Sequence, residues 1–283
     1  ICRCKREVFN IFRFSYLNLQ RFVVYFRFSN KFIFTVNYME NKVLGVIPAR
    51  FESSRFPGKP LIDLKGKTMI QRVYEGASKS KLLSQVIVAT DDQRIVDTVK
   101  SFGGQVEMTD KNHPSGTDRC GEVLSRNTGY DIILNIQGDE PLVSAEQIDQ
   151  LLSAFEDPKV QIATLGIAGV TEEDKQNPNR IKLVKNHNND AFYFSRSAIP
   201  NEVNGSEAAR KEFPFLRHIG LYAFRSDVLQ QLVKLEKTKL EQIESLEQLR
   251  WLYHGFSIRI VETKIETPNI DVPDDLEKVL RYL

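Results

Sequence analysis

"QVIVATDDQRIVDTVKSFG", residues 85–103, passes from a β-rich apolar run through two aspartates into a segment of helical spacing that glycine closes. The first six residues read as a buried strand and residues 92–103 as a helix. Working outward, the unit repeats. Upstream, "KVLGVI" (42–47) is a strand ended by Pro48, and "TMIQRVYEGASKS" (68–80) has helical spacing with Thr68 and Gln71 placed as a capping box. Downstream, "QVEM" (105–108) reads as a strand, "TDRCGEVLSRN" (117–127) as a helix and "DIILNIQ" (131–137) as a strand; Ser144 and Gln147 cap the next helix before the strand "VQIATLGIAGV" (160–170). Strands and helices alternating at this pitch predict an α/β fold, a mostly parallel sheet with helices on both faces, and a ligand beyond the carboxyl ends of the strands.

Past residue 168 the alternation changes character. "NRIKLVKN" (179–186), "DAFYFSR" (190–196) and "RHIGLYAFR" (217–225) are strand-like runs separated by a polar stretch at 201–212. Residues 169–217 are therefore expected to be a β-rich insertion on the same sheet and a candidate dimerisation element. Helices are expected at 226–236 and 243–254, then the strand "SIRIVET" (257–263) and a last helix after Pro273.

The 283 residues suffice for one large domain, and the net charge of +2 conceals an uneven distribution. Residues 1–38 carry seven Lys or Arg against the single acid Glu7, hold eight of the 18 Phe, and contain no Gly, Pro, Ala or Asp. Without them 32 basic residues face 36 acidic ones, a balance that argues against a general nucleic-acid binder. The leader lacks the apolar h-region and cleavage site of a secretory signal, and basic residues interrupt every run that could span a membrane. The preferred reading starts the protein at Met39, as one domain over 39–283, with 1–38 a non-native or disordered extension; a basic aromatic arm on a membrane surface is the alternative. Beyond the leader only Cys120 remains, so neither a disulfide framework nor a thiolate metal site is available, which points to a reducing compartment.

"VIPARFESSRFPGKPL" (46–61) places Arg50, Arg55 and Lys59 on the loop between the first strand and the first helix, with loop amides around Ser53, Ser54 and Gly58. Forked guanidinium donors, a mobile ammonium and backbone N–H groups at a sheet's ligand edge suit several phosphate charges. The spacing is neither GxxxxGK[ST] nor GxGxxG, which disfavours a Walker-type NTPase and a dinucleotide-binding domain. "NIQGDEPLV" (135–143) carries its acids past a strand end across Gly138, where Mg²⁺ shared with phosphate would be wanted.

Those segments, with "SGTDR" (115–119), "FYFSR" (192–196), "RHIGLYAFR", "ESLEQLR" (244–250) and "IDVPDDLEKV" (270–279), together resemble the 3-deoxy-manno-octulosonate cytidylyltransferase family, in order, from about residue 42 to the C-terminus. The resemblance implies a nucleotide-diphospho-sugar transferase type of Rossmann-like fold and a cytosolic homodimer. It also implies transfer of CMP from CTP to an acidic sugar, Kdo, for lipopolysaccharide synthesis. By the same resemblance Arg50 and Lys59 contact the triphosphate with help from Ser53 and Arg55, and Asp139 and Asp271 ligate Mg²⁺. Thr117 and Arg119 read the base, Gln137 lies between base and sugar, and Arg196, His218, Tyr222, Glu247 and Gln248 contact the sugar.

Each of these residues also has an ordinary reading. "TDR" suits a helix start, and Asp271 a helix-entry acid before Pro273. His218 and Tyr222 share a strand face, Gln248 could complete a capping box with Ser245, and Glu247 could be a first-turn acid. No protein general base is assigned. The competing functions are a cytidylyltransferase for another acidic sugar (sialic acid or 8-amino-Kdo) and, in a different class, a non-catalytic nucleotide-binding scaffold.

Overall fold

The computed structural model describes residues 11–16, 19–25 and 35–39 by their backbone, and residues 41–52, 56–268, 270, 273 and 275–283. The chain divides into two units, residues 1–42 and 43–283. In the first, β1 (Ile11–Tyr16), β2 (Leu19–Tyr25) and β3 (Thr35–Met39) form an antiparallel sheet in that order, with Met39 the last residue of β3.

The second unit is built on a nine-stranded sheet. Its first half runs β4 (Val43–Ala49), α1 (Met69–Ala77), β5 (Gln85–Thr90), α2 (Gln93–Ser101), β6 (Val106–Met108), α3 (Gly116–Arg126), β7 (Ile132–Asn135) and α4 (Ala145–Leu152). The second half runs β8 (Ile162–Ala168), α5 (Glu172–Gln176), β9 (Lys182–Lys185), β10 (Ala191–Ser195), α6 (Glu207–Glu212), β11 (Leu216–Arg225), α7 (Ser226–Leu232), α8 (Lys239–Glu244), α9 (Gln248–Tyr253), β12 (Ile258–Thr263) and α10 (Asp275–Leu280). Strands β7, β4, β5 and β6 are parallel neighbours, as are β12 and β8. The ten-residue β11 pairs antiparallel with β7, β8 and β9, and β10 pairs antiparallel with β9. A mostly parallel, mixed sheet results, joined across β11.

Side-chain parity explains the helices on both faces. In β4, Val43 and Ile47 point to one face and Leu44 and Val46 to the other; Val86 and Val88 of β5 alternate with Ile87 and Ala89 in the same way. The first face is covered by Ile70 and Val73 of α1, Ile95 of α2 and Ile148 of α4, the second by Val123 of α3, Leu229 of α7 and Trp251 of α9. Strands buried on both sides need apolar residues at both parities, which is why their sequences are unbroken apolar runs. Each fully buried aliphatic side chain contributes roughly 1.5–3 kcal/mol.

The expected strand 85–90 and the helix after Asp92 lie where predicted, and Asp92 caps α2 by accepting from the Arg94 N–H. Thr68 likewise accepts from the Gln71 N–H, but the Gln71 amide turns forward to Glu75 (2.9 Å), so only half of the expected box forms. The helix expected over 243–254 is two helices, because Ser245 adopts a left-handed φ of 52° and ends α8. The stretch 201–212 contains α6, and the insertion's strands β9 and β10 lie on the main sheet as expected. No helix among the described residues is long and apolar enough to cross a membrane.

Candidate active site

The carboxyl ends of β4, β5 and β7 lie side by side, and the segments that leave them carry Arg50, Asp91 and Asp139. Gly138 makes this approach possible: a Cβ there would lie 2.6 Å from the Pro48 carbonyl oxygen, so any larger residue would push the β7 turn away from the β4 loop. Gly58, at φ 74°, turns the loop back, and its N–H donates to the Phe51 carbonyl at 2.8 Å. Lys59 follows at once. Its Nζ donates to Asp139 Oδ2 and to the Ile270 carbonyl, each at 2.8 Å, while the Ile270 N–H donates to the Asp139 carbonyl at 3.1 Å. The loop after β4, the acidic turn after β7 and the segment entering α10 thus meet at one point. Arg50 donates to the His113 carbonyl. Ser53, Arg55 and Asp271 lie outside the described residues.

Beside Asp139 opens a cleft of about 390 Å³ whose lining includes Gln137, Arg196 and His218 among the expected residues. Gln137 Nε2 donates to the Gly220 carbonyl at 2.9 Å. Arg196, expected to meet a carboxylate, instead donates from Nε to Glu244 O (2.7 Å), from one terminal nitrogen to Pro178 O (2.9 Å) and from the other to Ser245 O (3.2 Å). Lys182, buried and with its pKa pulled down by that burial, donates to Arg196 O and Asn177 O and fixes the same corner.

His218 is half-buried at the cleft wall, with Nε2 3.0 Å from Thr164 Oγ1 and its ring 5.2 Å from those of both Phe194 and Tyr222. Burial, reinforced by Arg217, lowers its pKa to about 3, so the imidazole is neutral. Tyr222 packs edge-on against Trp251, and its pKa is pushed up by burial; its hydroxyl makes no hydrogen bond of good geometry among the described residues. An enclosed hydroxyl without a partner is costly, which suits a group that awaits a ligand.

At the start of α3, Ser115 accepts from the Asp118 N–H, and Thr117 Oγ1 donates to Glu247 Oε2 at 2.7 Å. Burial raises the Glu247 pKa against the opposing pull of the Thr117 and Ser115 hydroxyls and Arg250. The Ser245 break decides this contact: its hydroxyl donates back to Gln242 O instead of capping α9, which overturns the capping-box alternative for Gln248. Gln248 itself is buried in the first turn of α9.

Arg119, expected at the base, lies inside the fold. The fourth residue of α3, it is fully enclosed, paired with Asp91 Oδ2 at 2.8 Å and with the Thr109 hydroxyl. Sequence reading missed Asp91, Arg180, Arg217 and Glu266. Arg217 stood beside His218 in a quoted motif, and both border the cleft.

A family model described as cytidylyltransferase matches residues 44–264. A 3-deoxy-manno-octulosonate cytidylyltransferase of Parabacteroides distasonis is 50% identical over 249 residues, covering 86% of this chain and 98% of the relative. One from Porphyromonas gingivalis is 47% identical over 251 residues, covering 87% and 98%. Among solved structures, a CMP:2-keto-3-deoxy-manno-octonic acid synthetase complexed with CTP superposes with a TM-score of 0.80 at 44% identity, covering 85% of this chain and 98% of that one.

Proposed function

The chain belongs to the 3-deoxy-manno-octulosonate cytidylyltransferase family, and from that membership we infer that it transfers CMP from CTP to the anomeric hydroxyl of 3-deoxy-D-manno-octulosonate (Kdo), releasing pyrophosphate. The sugar oxygen forms the new bond to the α-phosphorus, the bond to the pyrophosphate oxygen breaks, and the hydroxyl proton leaves to solvent. Such a displacement asks chiefly for alignment and charge neutralisation. In this reading Arg50 and Lys59, with Ser53 and Arg55, take the triphosphate. Thr117, Arg119 and Gln137 form the nucleotide side, with Arg119 acting from beneath through Asp91 and Thr109. Gln137, Arg196, His218, Tyr222, Glu247 and Gln248 form the sugar side. With a pKa near 3, His218 is too weak a base at neutral pH to remove the proton, and it serves instead as a neutral hydrogen-bonding wall.

The observation that carries the reading is the junction of Lys59, Asp139 and Ile270, where a triphosphate-seeking cation touches both an acidic turn and the residue before Asp271. Hard carboxylate oxygens at such a junction fit Mg²⁺, and Asp139 and Asp271 would hold it. When bound, the ion neutralises phosphate charge and acidifies the attacking hydroxyl. The physiological setting we propose is a cytoplasmic homodimer supplying CMP-Kdo for lipopolysaccharide.

Pyrophosphate release measured with CTP, UTP, ATP and GTP, and with Kdo against sialic acid, tests the assignment. CTP with Kdo should be preferred by at least tenfold in kcat/KM. Preference for sialic acid would move the chain to another acidic sugar, and CTP binding without any turnover would favour a scaffold.

A further inference from the structure

We propose that Arg217 and Arg180 recognise the carboxylate of the sugar acid, and that Glu266 occupies their guanidinium groups until the sugar binds. The proposal deepens the function above and rests on it. A carboxylate brought into a cleft loses hydration and needs a charge-assisted partner there. Arg196, the expected partner, already donates from each of its three nitrogens to a main-chain carbonyl, which commits it to holding the Pro178, Glu244 and Ser245 segments together.

Arg217 and Arg180 are differently placed. Both line the 390 Å³ cleft with Glu266, Asp139 and His218, and the cleft's size lies within the roughly 300–1,000 Å³ typical of small-molecule sites. The Arg217 side chain is only 12% exposed and donates to Glu266 at 2.5 Å, whereas Glu266 is 56% exposed. Burial is the largest influence on the Arg217 pKa and lowers it despite that carboxylate. A largely desolvated guanidinium facing one more exposed carboxylate gains more from a second, less solvated anion. Arg180 approaches Glu266 only to 3.9 Å and Asp174 to 3.7 Å, beyond hydrogen-bond reach of either. Neutral His218, hydrogen-bonded to Thr164, leaves the charge balance of this wall to the two arginines. The remaining acids of the cleft lie on the β7 turn: Asp139 is held by Lys59, and Glu140 accepts from Thr267 Oγ1 at 3.5 Å.

The test compares Kdo with its C1 carboxamide as acceptors, with saturating CTP and Mg²⁺, in the full chain and in Arg217→Met, Arg180→Met and Glu266→Gln. The wild type should favour acid over amide at least tenfold in kcat/KM. Arg217→Met should raise KM for Kdo at least tenfold, leave KM for CTP within twofold and bring the acid-to-amide ratio close to one. A general packing defect would not move that ratio. Arg180→Met, at a more exposed position, should lower the ratio severalfold, and Glu266→Gln should lower KM for Kdo. Wild-type ratios in a folded Arg217→Met, or in Arg180→Met should the former fail to fold, would overturn the proposal alone. A rise in KM for Kdo in Glu266→Gln would overturn the placeholder role. A wild-type chain that releases no pyrophosphate from CTP and Kdo would overturn the underlying reaction, and this proposal with it.

Discussion

Lys59 and Asp139, 80 residues apart in the chain, form an ion pair at 2.8 Å in which the lysine also holds the carbonyl before Asp271. One ammonium therefore ties the loop after β4 to the β7 turn and the segment entering α10. Lys59→Met should lower kcat/KM for CTP by about 100-fold or more, the scale of losing one fixed charge-stabilising donor, with an unchanged circular dichroism spectrum. Asp139→Asn should fall at least as far. Pyrophosphate release checks both, and losses under tenfold would remove the pair from the chemistry.

Arg119 poses a choice between stability and base recognition. Breaking a buried pair strands the remaining charge, so Arg119→Met, which leaves Asp91 without its guanidinium, should cost about 3 kcal/mol in urea unfolding. A variant of full stability whose KM for CTP alone has risen would contradict this and return Arg119 to direct contact with the base.

Two groups whose pKa values desolvation shifts give stability opposite dependences on pH. His218 titrates near 3 in the folded chain against 6.5 unfolded, so between those values the unfolded chain binds the extra proton. Its contribution is present above pH 6.5 and is lost as pH falls toward 3, on the order of 5 kcal/mol at about 1.4 kcal/mol per unit. His218→Gln should flatten that acid slope in melts taken from pH 7 to pH 4. Glu247 works in the other direction: its folded pKa is raised above 4.5, so its contribution is present below pH 4.5 and is lost as pH rises through the folded value. Glu247→Gln should remove that loss, and an unchanged pH profile in either variant would refute the corresponding assignment.

Gly138→Ala tests the close approach of the two loops. The new Cβ would meet the Pro48 carbonyl oxygen at 2.6 Å, and main-chain atoms cannot yield as a side chain does. We expect a loss of about 1–3 kcal/mol in stability. Displacing Asp139 should also lower kcat/KM at least tenfold. Wild-type kinetics in this variant would show that the turn tolerates the shift.

Local signals in the chain proved dependable where the physics is local. The expected caps at Thr68 and Ser144 form because each side-chain oxygen meets an N–H three residues ahead, a contact that needs no tertiary partner; α3 is capped by Ser115, two residues before the expected start at Thr117. The break at Ser245 was not legible, since a left-handed serine is a local cost that its surroundings must outweigh. The partners of Arg196 and Arg119 were not legible for a related reason: the main-chain carbonyls that Arg196 meets and the carboxylate that Arg119 meets come from distant segments.

By itself, then, the sequence determined the alternation of strands and helices, the two-faced burial of the parallel strands, and the families of residues gathered at the sheet's carboxyl edge, because periodicity and capping are set by near neighbours. Only the tertiary structure decided that Lys59 meets Asp139, that Thr117 meets Glu247 across 130 residues, and that Arg217 pairs with Glu266 while Arg196 binds main-chain carbonyls. Those contacts depend on how distant segments pack, and packing is a property of the whole folded chain that no short window of residues contains.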